Sequence, residues 1–271
     1  MQQAPATLFA ITAGLAAAAA WAAQGPAPSP MTASLPAQGY LAPAELPDAA
    51  SLLTPPPAPE SADLARDRAA EQRALALRGS PRWELARRDA DLWSPEATGA
   101  LSCAAGRTIG PATTPRLDAL LRKTAADLGR VSAGVKQRYD RDRPFEGNGQ
   151  PTCTPEMEPG LRGNGSYPSG HATIGYGWAL IVADLLPVRR AALLARGRAF
   201  ADSRRVCNVH FRSDVAAGMA LAEPVVARLR RAAAFRADLA AARAELAAAP
   251  TRPSSCGAEQ SALALTRKDP A

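Results

Sequence analysis

The chain has 271 residues, 47% of them apolar, enough for one large hydrophobic core. Alanine and leucine dominate, aromatic residues make up only 5%, and β-branched runs are scarce, which predicts an all-α, single-domain helical bundle and argues against a sheet protein. The formal charge of +7 suits anionic small molecules, but the arginines are dispersed among acids, as in Asp63-Leu64-Ala65-Arg66-Asp67-Arg68, and read as solvated helix surface; with no basic stripe interleaved with aromatics, nucleic-acid binding is not expected.

No charged side chain precedes Glu45, and the apolar stretch from Leu8 to Ala23 ends in Ala20-Trp21-Ala22, the pattern of a cleaved export signal over 1–23. It falls short of the ~20 apolar residues that span a bilayer, so no membrane span is expected after cleavage. Residues 24–59 form a proline-rich, extended lead-in ending in Pro55-Pro56-Pro57-Ala58-Pro59, and the helical domain is expected over 60–249. Ser61 caps a helix through about Leu77 with Gly79 as its stop, and Pro81 opens another through about Trp93, setting Trp83, Ala86, Ala90 and Trp93 near one face. Thr114-Pro115 opens a helix whose apolar stripe is Leu117, Leu120, Leu121 and Leu128, with Gly129 as its end. Segment 131–142 continues as helix or short break, whereas 145–168, rich in Gly, Pro and Asn, reads as a long loop. From Ala172 to Val182 the chain is apolar nearly all round, which predicts a buried central helix. Segment 188–202 is helical, and 211–249 is a long helical stretch broken or bent at Pro224. The tail 250–271 is free unless Cys256 tethers it. The four cysteines, Cys103, Cys153, Cys207 and Cys256, lack C-x-x-C spacing, so two disulfides are expected in an exported chain, with all three pairings open.

The chain has two histidines, and both lie in segments suited to catalysis. Pro168-Ser169-Gly170-His171 leads into the apolar helix, placing backbone N–H groups and a hydroxyl at a helix N-terminus, where anions bind. His210 and Asp214 are four apart, so on a helix the carboxylate can hold one imidazole nitrogen protonated and leave the other free to attack. Lys136 and Arg143, seven apart, return to within about 20 degrees of each other on a helix that Pro144 ends, and could share one cavity. Arg204 cannot share a helical face with His210, so a turn must separate them if both meet one phosphate. The pairs Asp89/Asp91, Asp140/Asp142 and Glu156/Glu158 read as surface acids, and no metal cluster or cofactor is expected.

Taken together, Lys136-x6-Arg143-Pro144, Pro168-Ser169-Gly170-His171 and Ser203-Arg204-x5-His210-x3-Asp214 resemble the three-part signature shared by type-2 phosphatidic acid phosphatases, bacterial class A acid phosphatases and vanadium haloperoxidases. The run Gly165-Ser166-Tyr167 and the lead-in Leu52-Leu53-Thr54-Pro55-Pro56-Pro57 make the chain most similar to class A non-specific acid phosphatases, from about Tyr40 to about Gly218, with Ala172 as a departure where threonine is common. The resemblance implies a periplasmic, metal-independent hydrolase of small phosphate monoesters. In it His210 forms a phosphohistidine, Asp214 orients His210, and His171 acts as acid and base. Lys136, Arg143, Ser169, Gly170 and Arg204 hold the phosphate. A vanadium-dependent haloperoxidase and a non-catalytic exported anion-binding protein are the alternatives, and the oligomeric state, a homo-oligomer among the options, stays open.

Overall fold

The computed structural model describes Met1, residues 38–250 and residues 256–266, so the 1–23 segment and the first part of the lead-in lie outside the described residues. All regular structure among the described residues is helical: α1 (Ala49–Leu52), α2 (Ala62–Leu75), α3 (Pro81–Asp89), α4 (Ser102–Ala105), α5 (Pro115–Arg130), α6 (Ala133–Tyr139), α7 (Pro144–Asn148), α8 (Glu158–Arg162), α9 (Gly170–Leu185), α10 (Arg190–Val206), α11 (Arg212–Leu229), α12 (Ala233–Ala248) and α13 (Cys256–Ala264), with 3-10 turns between some of them. None of these helices is long and apolar enough to cross a membrane.

The all-round apolar segment becomes the axis of the bundle. From Ala172 to Ala183 every residue of α9 is buried, with α5, α10 and α11 packed around it, α12 lying over α5, and α2 and α3 against α10. Gly175 permits this closeness, because a Cβ there would sit 2.0 Å from Phe200 Cδ1 of α10. Trp178 fills the centre and donates its indole N–H to the Leu121 carbonyl at 2.8 Å.

Several boundaries differ from the sequence reading, each for a local reason. Ser61 caps α2 as expected, accepting from Leu64 N, and α3 starts at Pro81 as expected, with Ser80 as its cap accepting from Trp83 N. Helix α3 stops at Asp89 because Asp91 Oδ1 accepts from Trp93 N and Ser94 N at 2.8 and 2.9 Å, a turn that competes with helix. Trp93 therefore leaves the face of Trp83, Ala86 and Ala90; those three pack with Phe145, Met157 and Val206, whereas Trp93 joins the main core. Helix α5 runs past Gly129 to Arg130. Its first turn is capped by Glu245 of α12, whose carboxylate accepts from Arg116 N and Leu117 N at 3.1 and 3.0 Å, while Thr114 Oγ1 turns to Gly110. The expected long loop holds two short helices, α7 and α8. Helix α11 continues through Pro224, because Leu221, Ala222, Val225 and Val226 are buried around it; the break falls at Arg230–Ala232 instead.

Two bridges form, Cys103–Cys256 and Cys153–Cys207, with sequence separations of 153 and 54. The first ties α13 down, resolving the tail's condition as tethered. The arginines are not all solvated: Arg82, Arg143, Arg196, Arg204 and Arg205 are buried. Nor is Asp89 a surface acid. It is buried and pairs with both terminal nitrogens of Arg196, at 3.1 and 2.6 Å, and with Ser203 Oγ.

Candidate active site

Lys136, Arg143, Asn164, Gly170, His171 and His210 line one cavity of about 510 Å³. Lys136 and Arg143 do not share a helix. Asp140 takes a left-handed φ of 37° and ends α6, and Pro144 starts α7 rather than ending a helix. A residue before proline is driven out of the helical region, and Arg143, at φ −87° and ψ 154°, is extended. The reversal still delivers both cations to the cavity. Arg143 is fixed by the carbonyls of Leu161, Asn164 and Val209, and its Nη1 lies 3.1 Å from His210 Nε2. Lys136 Nζ donates to the Gly165 carbonyl.

Arg204 stands apart. It projects from α10, is fully buried, and none of its three guanidinium nitrogens has a hydrogen-bond partner among the described residues. A buried cation with no acceptor costs several kcal/mol, a cost that an anion placed against it would offset. Ser169 is the N-cap of α9, accepting from Ala172 N at 3.3 Å, so its own hydroxyl hydrogen stays available; Gly170 opens the helix, where backbone N–H groups lack intrahelical acceptors. Gly218 of α11 holds this corner closed, since a Cβ there would meet the Ser169 carbonyl oxygen at 2.3 Å.

His210 and Asp214 are neighbours, but not along a helix. His210 sits in the turn between α10 and α11, which also supplies the junction needed between Arg204 and His210. Asp214 lies in the first turn of α11 and accepts from Phe211 N at 2.7 Å. His210 Nδ1 is 3.5 Å from both Asp214 Oδ2 and Ser166 Oγ, and its Nε2 faces the Arg143 donor, so the neutral ring carries its proton on Nδ1 and its lone pair on Nε2. His171 Nε2 is 3.0 Å from the Ala90 carbonyl, which can only accept; Nε2 holds the proton there and Nδ1 the lone pair.

The electrostatics follow from crowding cations out of water. Burial, then Arg143 and Arg204, bring Lys136 down to about 7. Burial and Arg143 lower Arg204 to about 9, and burial lowers Arg143 to about 10. Both imidazoles lie well below their ordinary value: His210 through burial and then Arg143, Lys136 and Arg204, His171 through burial and then Arg204. Bound anionic charge would reverse each of these shifts.

Sequence reasoning missed Arg141, Ser166 and Asp67. Ser166 Oγ donates to Asp214 Oδ2, and Arg141 bridges Asp214 Oδ1 at 2.6 Å and Asp67 Oδ2 at 2.9 Å. Asp67 contacts Ser213 across a separation of 146 residues, and no local pattern signals such a pairing. Ser166 and Arg141 lay inside segments already singled out, but their neighbours drew attention instead.

The PAP2 superfamily model matches residues 121–236. The chain is 41% identical to an acid phosphatase of Zymomonas mobilis subsp. mobilis, over 73% of this chain and 75% of that protein. It is 37% identical to a non-specific acid phosphatase of Salmonella typhimurium and 35% identical to one of Providencia stuartii, in each case over 77% of this chain and 84% of the relative.

Proposed function

The chain belongs to the PAP2 superfamily as an acid phosphatase, a hydrolase of phosphoric monoesters, and on that premise we propose that it cleaves small phosphate monoesters without metal, through a phosphohistidine on His210. The observation that carries the reading is Arg204, a guanidinium buried without an acceptor among the described residues and near enough to Lys136, His171 and His210 to lower the proton affinity of each. A phosphoryl group offers the oxygens that Arg204, Arg143, Lys136, the Ser169 hydroxyl and the Gly170 N–H require.

His210 Nε2 attacks phosphorus as the bond to the ester oxygen breaks, with Nδ1–H held by Asp214 and Ser166. The departing alkoxide takes a proton from His171. In the second half His171 removes a proton from water, the water oxygen bonds phosphorus, the P–N bond breaks, and inorganic phosphate leaves. The free enzyme suits the nucleophile, because burial and then the surrounding cations keep His210 neutral into the acid range. The same cations disfavour the protonated His171 that the first step needs, and the charge of bound substrate restores it.

The 1–23 signal and a periplasmic location belong to the same reading. Two disulfides support them, since such bonds persist in oxidising compartments.

The test is release of nitrophenol from p-nitrophenyl phosphate in EDTA near pH ~6, for wild type and His210→Ala, with vanadate as inhibitor. Turnover that survives EDTA, is blocked by vanadate and is lost in the variant is expected. A His210→Ala enzyme of wild-type rate would overturn the assignment of the nucleophile.

A further inference from the structure

The hydrogen bonds of Asp214 raise a question the mechanism leaves unanswered. A carboxylate beside an imidazole stabilises the imidazolium and so works against a nucleophile that must stay neutral in acid. What faces that carboxylate is therefore decisive. Arg141, in the segment between α6 and α7, donates from Nη1 to Asp214 Oδ1 at 2.6 Å and to Ser213 Oγ at 2.8 Å, and from Nη2 to Asp67 Oδ2 at 2.9 Å. Its guanidinium lies over the Phe211 ring at 4.1 Å, and the carboxylates it joins are 0% and 1% exposed, so water does little to screen the trio. Asp67 comes from α2 and is itself fixed by Ser213, whose N–H donates to it at 2.9 Å.

We propose that Arg141, clamped between Asp67 and Asp214, is a positioning residue that balances the Asp214 charge, so that Asp214 orients His210 without drawing a proton onto it. Asp67 sets the degree of balance by claiming part of the same guanidinium. The other charged or titratable groups around His210 are Lys136 of α6, Arg143 before α7, His171 of α9 and Arg204 of α10; burial and the three cations oppose its protonation, and His171 is itself held below its ordinary value. The Tyr167 phenol is engaged with the Thr54 carbonyl. Two carboxylates against one guanidinium leave a single negative charge on this side of the ring; without Arg141 there are two.

The proposal rests on His210 being the nucleophile, and its test reads the imidazole directly. With only two histidines in the chain, the ring signals of the intact protein can be titrated by NMR in phosphate-free buffer and assigned with His171→Asn. In Arg141→Gln, His210 should take up its proton at a pH about one unit higher than in wild type, a tenfold gain in proton affinity. The acid limb of kcat/KM should move with it, and Arg141→Lys should restore both. An Arg141→Gln protein whose His210 titrates as in wild type would overturn the proposal, even if its activity fell, since a purely structural role lowers rate without moving that titration. Should Arg141→Gln fail to fold, Asp67→Asn carries the test with opposite sign: His210 should protonate at lower pH, and an unchanged or raised titration sinks the idea. A shifted imidazole with an unmoved activity limb would instead indict the choice of nucleophile.

Discussion

Arg204 has all three guanidinium nitrogens out of water and without hydrogen bonds among the described residues, so under the proposed function its free-state cost and its ligand-bound value have opposite signs. Replacing it with methionine should leave the free protein as stable or more stable, by up to about 1–4 kcal/mol. The same change should cut kcat/KM by about 10²–10³ and abolish the rise in melting temperature that phosphate gives wild type. A free Arg204→Met protein that melts well below wild type would contradict this account. The histidines predict a pH dependence of the same origin. Both are held below their ordinary value in the fold, so below about pH 6.5 the unfolded chain binds protons that the folded chain does not, and stability falls with pH at up to about 1.4 kcal/mol per unit for each ring. Melting curves between pH 7 and 5 should show that slope in acetate or other non-binding buffer and a flatter one with vanadate bound, because bound anionic charge restores the imidazolium. At this scale the sequence was legible where chemistry is rare: both histidines, and Lys136 among only three lysines, line the cavity. It was illegible where chemistry is common, since nothing separates Arg141 from the many other arginines until Asp67 is seen against it.

Helices were readable where one force acted alone. The stretch after His171 has no polar face, so burial was its only outcome, and Ser61, Pro81 and Pro115 mark the starts of α2, α3 and α5. Readings failed where two forces competed: the Asp91 turn against the continuation of α3, and burial of Val225 and Val226 against the proline at 224. The Lys136 to Arg143 spacing is the instructive case. The expected helix stops at Tyr139, short of Arg143, and the turn that follows still brings both cations to the same cavity. The cap on α5 was out of reach of any local rule because it comes from α12. Glu245→Ala should leave Arg116 N and Leu117 N without their acceptor and cost about 1 kcal/mol in chemical denaturation, with activity retained; an unchanged midpoint would show that water replaces the carboxylate at no loss. Gly175→Ala probes the axis of the bundle. With Phe200 Cδ1 2.0 Å from the new methyl group, overpacking should lower stability by about 1–3 kcal/mol.

Over the whole molecule the two disulfides close loops of different kinds. Cys103–Cys256 fastens the C-terminal helix to the outside of the bundle, where Glu259 also pairs with Arg196 at 3.3 Å. Cys153–Cys207 joins the segment between α7 and α8 to the end of α10, three residues before His210. Removing either bridge by paired Cys→Ala changes should lower the melting temperature by on the order of 10 °C. Only loss of the second should also reduce kcat, measured well below both transitions; equal kcat in the two variants would show that the turn holds its shape without the bond. Sequence could count these bridges but not pair them, because pairing depends on which helices meet. The position of Cys207 has a further consequence for the order of events in the life of the molecule. The bond that ties down the end of α10 also anchors the turn that carries His210. If the protein is exported as proposed, the reduced chain has the turn that carries His210 without its covalent anchor, and oxidation would secure the proposed nucleophile's seat in the same step that secures the fold.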